Sequence, residues 1–600
     1  MKTNYYLIVF LTQILSINLF AYDFKANDIY YKILSEEDCT LSVTSGEKSN
    51  DAPHNFYYGG IVTIPEIVPF HGHNYKVIEI DDDAFITCIN VSYVILPSTI
   101  RRIGKEAFQL CQNLSSISLP EGLTSIGDAA FSSCEKLESI VLPQSLTDIG
   151  VKPFAGCDNL KVTIADNNPV FSIKNDLLIN KTRDEIVMSL PQTSGDVVLS
   201  KDVKSIHSYA FSDSKNITSV TVNEGIKRIE NYTFASSRIQ RIELPSSVIS
   251  IGDYAFSGCS YLYDITLSSQ ILSIGDYSFQ FCTNLPLIDL PLKIESIGKY
   301  TFYECKRLRR ATLPDNIKII GEGAFENCEV LENVVFPNSL EKIDKCAYKG
   351  CNIRSIIIPE NVTEIGDFAF MLAWGDQGSG AVTIIGNNIH IGKYAFYTEH
   401  DKSVRIYSDN PPIIEEMSFG NYWGDPNEHN DVYPMTIHVK KGSLAKYKEA
   451  NGWDLYSIIE DLEEEPTAKM DKTDYFIQKG KVGQAALIIK PDAVSNVFVK
   501  WKSGNPDMLF VDEKSGQFFG LEEGSTSIIA EITASYAGEI ITLSAIAMVT
   551  ITSPDAIHVQ KRISPNVKTS FNIDGTNFNK RDSRIIVVQL DDGSIKKYIR

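Results

Sequence analysis

Residues 103–151 read IGKEAFQLCQNLSSISLPEGLTS, then IGDAAFSSCEKLESIVLPQSLTD, then IGV, two 23-residue units that align without a gap. Nothing else in the chain narrows its fold as far. A fixed period of this length makes each unit one coil, which cannot bury its apolar side alone and must stack on its neighbours. Thirteen starts carry the register: Ile80, Ile103, Ile126, Ile149, Ile206, Ile229, Ile251, Ile274, Ile297, Ile320, Ile343, Ile365 and Ile391. Five residues after every start stands an aromatic: Phe85, Phe108, Phe131, Phe154, Phe211, Phe234, Phe256, Phe279, Phe302, Phe325, Tyr348, Phe370 and Phe396. One such spacing is noise, but its recurrence after every start places a ring in the core of each coil. Each buried ring contributes about 1.5–3 kcal/mol by transfer from water.

The coil consensus is I-G-x-x-x-F-x-x-C-x-x-L-x-x-I-x-L-P. Glycine after the start, as at Gly104, Gly127, Gly252 and Gly275, permits a tight bend. The xAFxxCxxL segment has near-helical spacing and predicts a short helix or 3₁₀ turn. The LxxIxLP segment predicts a short strand, ended by proline at Pro97, Pro120, Pro143, Pro291, Pro314 and Pro337. A strand plus a helical segment per coil is the leucine-rich-repeat plan. Between Ile149 and Ile206 the spacing widens to hold NNPVFSIKNDLLINKTRDEIVMSLP, which predicts an inserted hairpin.

Nine of the eleven cysteines fall at one place in the coil: Cys88, Cys111, Cys134, Cys157, Cys259, Cys282, Cys305, Cys328 and Cys351. A buried thiol packs there like a small apolar residue, so a ladder of free thiols is expected. Adjacent rungs lie about 5 Å apart, so distance alone does not exclude a bridge. Serine takes the place at Ser214 and Ser237, which suits packing better than a pairing code. No CxxC pair occurs, and Cys346 with Cys351 has no second pair nearby, which argues against zinc. His71 and His73 flank Gly72 in FHGHNY and read as a turn rather than a metal pair. The run Asp81-Asp82-Asp83 reads as a solvated bend rather than a calcium loop.

Lys and Arg number 56 against 76 Asp and Glu, a net charge of −20. This argues against nucleic acid or an anionic membrane as main partner, since both need a basic surface. No HExxH, GxSxG or phosphate-loop pattern occurs, so neither an enzyme nor a cofactor or metal site is expected. Lys2 and the mostly apolar run 7–20 predict an export signal over residues 1–21. No later run is long enough for a membrane span, and an exported monomer is expected.

Residues 22–79 read as an N-terminal β cap, because an open solenoid end exposes unpaired backbone and core. Coils occupy 80–420, a C-terminal cap 421–462 and a charged linker 463–473. From 474 to 552 short strands between turns, such as ALIIKP, VFVKWKSG and STSIIAEI, give a sandwich pattern. The β tail 553–600 ends in RIIVVQLDDGSIKKYIR, where Asp592-Gly593 signals a hairpin. The expected fold class is an α+β solenoid, one strand and one short helical segment per coil, followed by an all-β immunoglobulin-like sandwich.

The unit IGxxAFxxCxxLxxIxLP resembles the BspA-like leucine-rich repeat of bacterial surface proteins, over about residues 60–460. The insert NPVFSIKNDLLIN is similar to that family too. So is TIHVKKGSLAKYKEANGWDLYSIIE, with Gly442, Tyr447 and Trp453 in a helix over the last coil. The resemblance implies a horseshoe-like solenoid on the outside of a bacterial cell, in a family associated with adhesion, and no catalytic residue. VKWKSGNPDMLFVDEKSGQFFGLEEGSTSIIAEI resembles the bacterial immunoglobulin-like Big family, whose members usually act as spacers. It holds no cysteine, so Trp501 must pack without a disulfide. The tail is similar to the C-terminal β segment of type IX secretion substrates, and is either a sorting signal or a final β module.

In LxxIxL the named residues point inward and the others outward. The outer face reads Ser116/Ser118, Ser139/Val141, Ser219/Thr221, Arg241/Glu243, Asp264/Thr266, Leu287/Asp289, Arg310/Thr312, Asn333/Val335 and Ser355/Ile357. Expected ligand-binding residues are Arg241, Glu243, Asp264, Asp289, Arg310 and Asn333. The expected structural core includes Phe108, Phe131, Phe256, Phe279, Phe302, Phe325, Cys111, Cys134, Cys282 and Cys305. A broad polar face suits an extracellular protein, or a glycan, better than a small molecule. The expected function is a non-catalytic cell-surface adhesin. The alternative is a glycan-binding module for nutrient capture, which would call for an exposed aromatic platform on the strand face.

Overall fold

Isoleucine occupies two apolar places in each coil because a β-branched side chain suits a strand buried on one side. In the computed structural model both places lie in strands that pair with their counterparts one coil away. The model describes residues 22–46, 58–332, 334–373, 381–398, 403–422, 432–462, 466–490, 494–536, 539–552, 585–589 and 595–599, so the expected export signal lies outside the described residues. The first ladder joins the coil starts in parallel register, with Ile297, Ile320, Ile343, Ile365 and Ile391 side by side. The second joins the LxxIxL strands, as in Gly195–Val198, Ile217–Thr221, Arg241–Glu243 and Asp264–Thr266.

The segment expected to be helical is a run of turns. Among the described residues, helix is confined to Leu444–Glu449 and a 3₁₀ turn at Trp453–Leu455, so the repeat array is a β-solenoid rather than an α+β one. The third residue after each start holds positive φ, and so does the seventh in every coil from Ile80 to Ile365, as at Glu106 (54°), Leu110 (61°), Tyr277 (58°) and Phe281 (58°). Left-handed residues interrupt a right-handed helix. The N–H groups so released bond between coils. Glu106, Phe108 and Leu110 donate to the carbonyls of Asp128, Ala130 and Ser132 at 2.8, 2.7 and 2.8 Å. The intervening N–H groups close local turns, as Cys111 does on Phe108 at 3.2 Å.

Glycine after the start serves close approach rather than a bend. A Cβ on Gly127 would lie 2.5 Å from the Lys105 nitrogen in the preceding coil. The next residue caps the coil that follows: Asp276 Oδ1 accepts the Lys299 N–H at 2.7 Å, and Asp82 Oδ1 the Lys105 N–H at 2.8 Å. The expected bend at Asp81-Asp82-Asp83 is therefore one rung of this carboxylate ladder. His71 and Gly72 form the turn between strands Ile67–Phe70 and His73–Ile80.

All thirteen expected aromatics are buried. Their rings stack coil on coil, with centroids 5.1 Å apart at Phe256–Phe279 and 5.4 Å at Phe279–Phe302. The stack runs one coil beyond the expected thirteen, because Ile413–Ile414 pairs with His390–Ile391 and Phe419 stacks on Phe396 at 5.2 Å. A second stack, unforeseen, joins half-buried Tyr209, Tyr232, Tyr254, Tyr277 and Tyr300 at 4.6–5.2 Å.

The thiol ladder is a hydrogen-bond ladder as well as packing. Cys111, Cys134, Cys282 and Cys305 donate from Sγ to the carbonyls of Phe85, Phe108, Phe256 and Phe279 at 3.1–3.2 Å. All eleven cysteines are free. Burial pushes the Cys259 thiol up to about 12 from an ordinary 9.0.

Both ends of the spine are covered. Tyr58 sits 4.4 Å from Phe85 at the first coil. At the other end Trp453 lies 6.1 Å from Phe419 and donates Nε1–H to the Pro412 carbonyl at 3.0 Å, with Tyr447 edge-on to it. The insert after Ile149 is a hairpin, Phe171–Lys174 with Leu177–Asn180, followed by Glu185–Ser189, which pairs with Ser205–Ile206 and rejoins the start ladder. The apolar core falls into two stretches that meet at this insert.

The chain divides into two compact units, Met1–Glu463 and Glu464–Arg600. The described residues of the second hold strands and no helix. Asp474–Gln478, Glu539–Thr552, Gly524–Tyr536 and Ser495–Ser503 form one sheet; Val482–Gln484, Gln517–Gly520 and Leu509–Val511 form another. Trp501 is buried, its indole against Gly516. Thr467–Met470, inside the stretch expected to be a linker, is a strand paired with Leu487–Lys490. Ile585–Gln589 and Ile595–Ile599 form an antiparallel pair around the expected hairpin turn, itself outside the described residues.

Two measurements check this packing. Phe279→Ala should cost about 3–5 kcal/mol in a denaturant melt, because the stacked rings cannot all relax into the hole, whereas exposed Ser118→Ala should change little. The Cys259 thiol is held protonated by folding, so its contribution is complete below its ordinary 9.0 and is lost as pH rises toward about 12. Stability measured by melting should therefore fall above pH about 9; a rise over that window would contradict the buried ladder.

Candidate functional site

The LxxIxL strands bury alternate side chains, and the residues between them form one face of the solenoid. Register sets its columns. Ser219, Arg241 and Asp264 align across three coils, as do Thr221, Glu243 and Thr266. Arg241, Glu243 and Asp264 are exposed, and none is held by a side-chain hydrogen bond or ion pair among the described residues. Opposite charges stand side by side, with Asp196 next in line beyond Ser219. Hydrogen bonds from Ser219 and Thr218, at 2.6 and 2.9 Å, and the charge of Arg241 hold the Asp196 carboxyl below its usual range.

Asp289 and Arg310 lie on the next columns, Leu287↔Arg310 and Asp289↔Thr312, but are engaged with each other. Asp289 Oδ1 takes the Arg310 guanidinium at 3.3 Å and the Thr312 hydroxyl at 2.8 Å. Asn333 lies outside the described residues. The five described ones thus divide into an uncommitted group, Arg241, Glu243 and Asp264, and a paired group, Asp289 and Arg310.

Apolar residues on the same kind of face were missed. Strands Gly60–Thr63 and Val91–Ile95 set Ile61 beside Tyr93 and Thr63 beside Ile95. Ile61 is 70% exposed, Tyr93 41% and Ile95 46%. The signal was present, since VSYVILP places Val91 and Val94 inward and therefore Tyr93 and Ile95 outward. Further along, Tyr263 precedes Asp264 on the surface, and Arg238 lies over the Tyr261 ring at 5.5 Å.

Among the described residues, no group of three His, Cys, Asp or Glu could hold a metal ion. No helix there is long and apolar enough to cross a membrane. The imidazoles with carboxylate partners, His390 on Glu415 and His438 on Asp461, bridge neighbouring coils at 3.2 and 2.9 Å, as Lys318 and Glu295 do at 2.9 Å.

Two parallel strand ladders, a ladder of turns and a stacked aromatic spine define a repeat β-solenoid that presents a flat mixed face. Residues 78–194, 191–309, 261–374 and 295–422 match the BspA type leucine rich repeat region in its six-copy form. They span more than half of the chain, and the chain belongs to this family. No curated protein matches it. Solved structures similar to it include a leucine-rich repeat protein from Eubacterium ventriosum, 22% identical, covering 52% of this chain and 90% of its own, with a TM-score of 0.43. A leucine-rich repeat protein from Bacteroides ovatus is 22% identical, covering 73% and 100%, with a TM-score of 0.38. A leucine rich cell surface protein from Faecalibacterium prausnitzii is 22% identical, covering 52% and 93%, with a TM-score of 0.33.

Because no neighbour holds the side chains of Arg241, Glu243 and Asp264, replacing all three with alanine should change stability by no more than about 0.5 kcal/mol per site. A large loss in a denaturant melt would show that they serve the fold instead.

Proposed function

We propose that this protein is an exported, non-catalytic bacterial surface adhesin that binds an extracellular protein through the strand face of its solenoid. The observation that carries the reading is the exposed, unengaged column set of Arg241, Glu243 and Asp264 among neighbours tied up in coil-to-coil bonds. Side chains held by no hydrogen bond or ion pair are free to be selected for contact. A flat face of alternating charge recognises a complementary surface by steering and register more than by depth. The exposed apolar cluster Ile61, Tyr93 and Ile95 adds contact area of the kind that interface cores use.

The reading extends to the rest of the chain. Residues 1–21 act as an export signal, 22–79 and 421–462 as caps, and 474–552 as an immunoglobulin-like spacer. Residues 553–600 are either a sorting signal or a last β module. Asn333, expected on that face from the sequence, is proposed as a further contact residue. The protein acts as a monomer outside the cell. A second reading, a glycan-binding module for nutrient capture, draws on the exposed rings of Tyr93 and Tyr263.

The test is a binding screen of the purified chain against matrix proteins, bacterial surface proteins and polysaccharides. Saturable protein binding is expected, weakened about tenfold or more by combined Arg241→Ala, Glu243→Ala and Asp264→Ala. Saturable polysaccharide binding without protein binding would favour the second reading.

A further inference from the structure

The ladder of turns is broken at one place within the solenoid. From Ile80 to Ile391, the third, fifth and seventh N–H groups after each start donate to the next coil, except in the coil that starts at Ile149. There Lys152, Phe154 and Gly156 keep the ladder geometry, with φ of 53° at Lys152 and 74° at Gly156, but their N–H groups find no acceptor among the described residues. The cause lies in the insert. The chain rejoins the start ladder at Ile186, yet only nine positions lead from there to Gly195, where thirteen lead from Ile126 to Ser139. Pro191 stands where the aromatic would be, and the turn segment of that coil is cut short.

The result is a slot one coil thick. One wall is the Lys152–Phe154–Gly156 turn; the other is the turn of the following coil, Ser208 to Asn216; the floor is Met188 to Leu190. Its central space, about 80 Å³, is several times the ~10–15 Å³ that admits one water. On the second wall only Ala210 receives its ladder bond, from Ser189 N–H at 2.6 Å. The Ser212 carbonyl accepts no backbone bond, and the Ser212 Oγ is buried without a partner. Two ion pairs bridge the slot at the surface: Lys152 to Asp213 at 2.5 Å and Lys215 to Asp158 at 2.7 Å.

We propose that this slot binds a single extended, uncharged segment of a partner polypeptide, seated where the shortened turn would otherwise lie. One wall offers N–H groups at alternate residues of a turn, the same alternation along the chain that a strand edge presents, and the other offers a carbonyl and a hydroxyl. A polypeptide carries carbonyls and N–H groups to its two sides at that repeat, so one segment answers both walls. A glycan has no such fixed alternation. Backbone bonding of this kind gives affinity with little demand on sequence. The floor of Met188 and Leu190 sets an apolar side chain toward the core, and the paired charges at the mouth leave no net charge to match. The Lys215–Asp158 pair is exposed and holds weakly, and the half-buried Lys152–Asp213 pair parts with it to admit the segment. None of the strand-face residues lines the slot, so this site stands or falls apart from the proposed adhesive face.

The experiment selects from a library of random heptapeptides on the full chain, then follows amide hydrogen exchange with and without the selected peptides. Slower exchange at Lys152, Phe154 and Gly156 is expected on binding. Ser212→Leu, which fills the slot, should weaken the selected peptides at least about tenfold. A second variant, Lys152→Ala with Lys215→Ala, leaves the backbone untouched and opens the mouth, and should tighten binding about two- to threefold. Selected peptides that leave those amides unprotected, or that bind both variants like the parent chain, would overturn the proposal. So would protection of the same amides by a polysaccharide and not by peptide.

Discussion

Each turn in this solenoid must find hydrogen-bond partners in the coil beside it. Alternate N–H groups, such as those of Glu106, Phe108 and Leu110, point along the stack and meet carbonyls one coil away. Buried backbone groups left unpaired are costly, so the ladder fixes the register of every coil on the next. The other regularities follow from it. Rings five residues after each start must fall over one another, glycine must follow the start because the preceding backbone lies within reach of a Cβ, and a carboxylate oxygen can cap the next coil.

The same constraint explains why cysteine suits its place. The carbonyl of the aromatic residue receives the thiol's own backbone N–H within a coil and the Sγ–H of the next, as Phe108 does from Cys111 and Cys134. A purely apolar residue would fill the space and leave that second bond unmade. Serine makes a polar contact there instead, as Ser237 does with Cys259 at 3.5 Å. The site is thus tuned to a small, weakly polar side chain, and pairing into disulfides would take the Sγ–H donors away from the ladder.

Much of this was legible in the sequence, and the misses have identifiable causes. The aromatics and thiols were visible because one side chain repeats at one place. The turn ladder was not, because xAFxxCxxL has the spacing of a helix whether or not its φ angles are right-handed. Glycine at Gly156, Gly258 and Gly350, in a place that elsewhere holds residues as different as Leu110, Ser133, Asp213 and Phe281, was the available clue. On the strand face, alternation correctly put Arg241, Glu243 and Asp264 outside. It could not tell that Asp289 and Arg310 engage each other, since that depends on side-chain reach between coils rather than on position in one.

A fold held together this way leaves two kinds of freedom for recognition. Side chains on the strand face can vary without cost to the stack, so the partner we propose would be read there by the pattern of charges and rings across coils. The ladder itself is sticky wherever it is interrupted, because its N–H groups and carbonyls are already aimed at a neighbour. An ordinary end of the stack is covered, as Trp453 and Tyr447 cover Phe419. At Lys152, Phe154 and Gly156 the shortened coil does not cover the row, and only two pairs of long side chains close over it. Recognition by side chains is sequence-specific, and recognition by backbone is sequence-tolerant; if both proposals hold, the strand face would select its partner by side chains and the slot would accept a segment by its backbone.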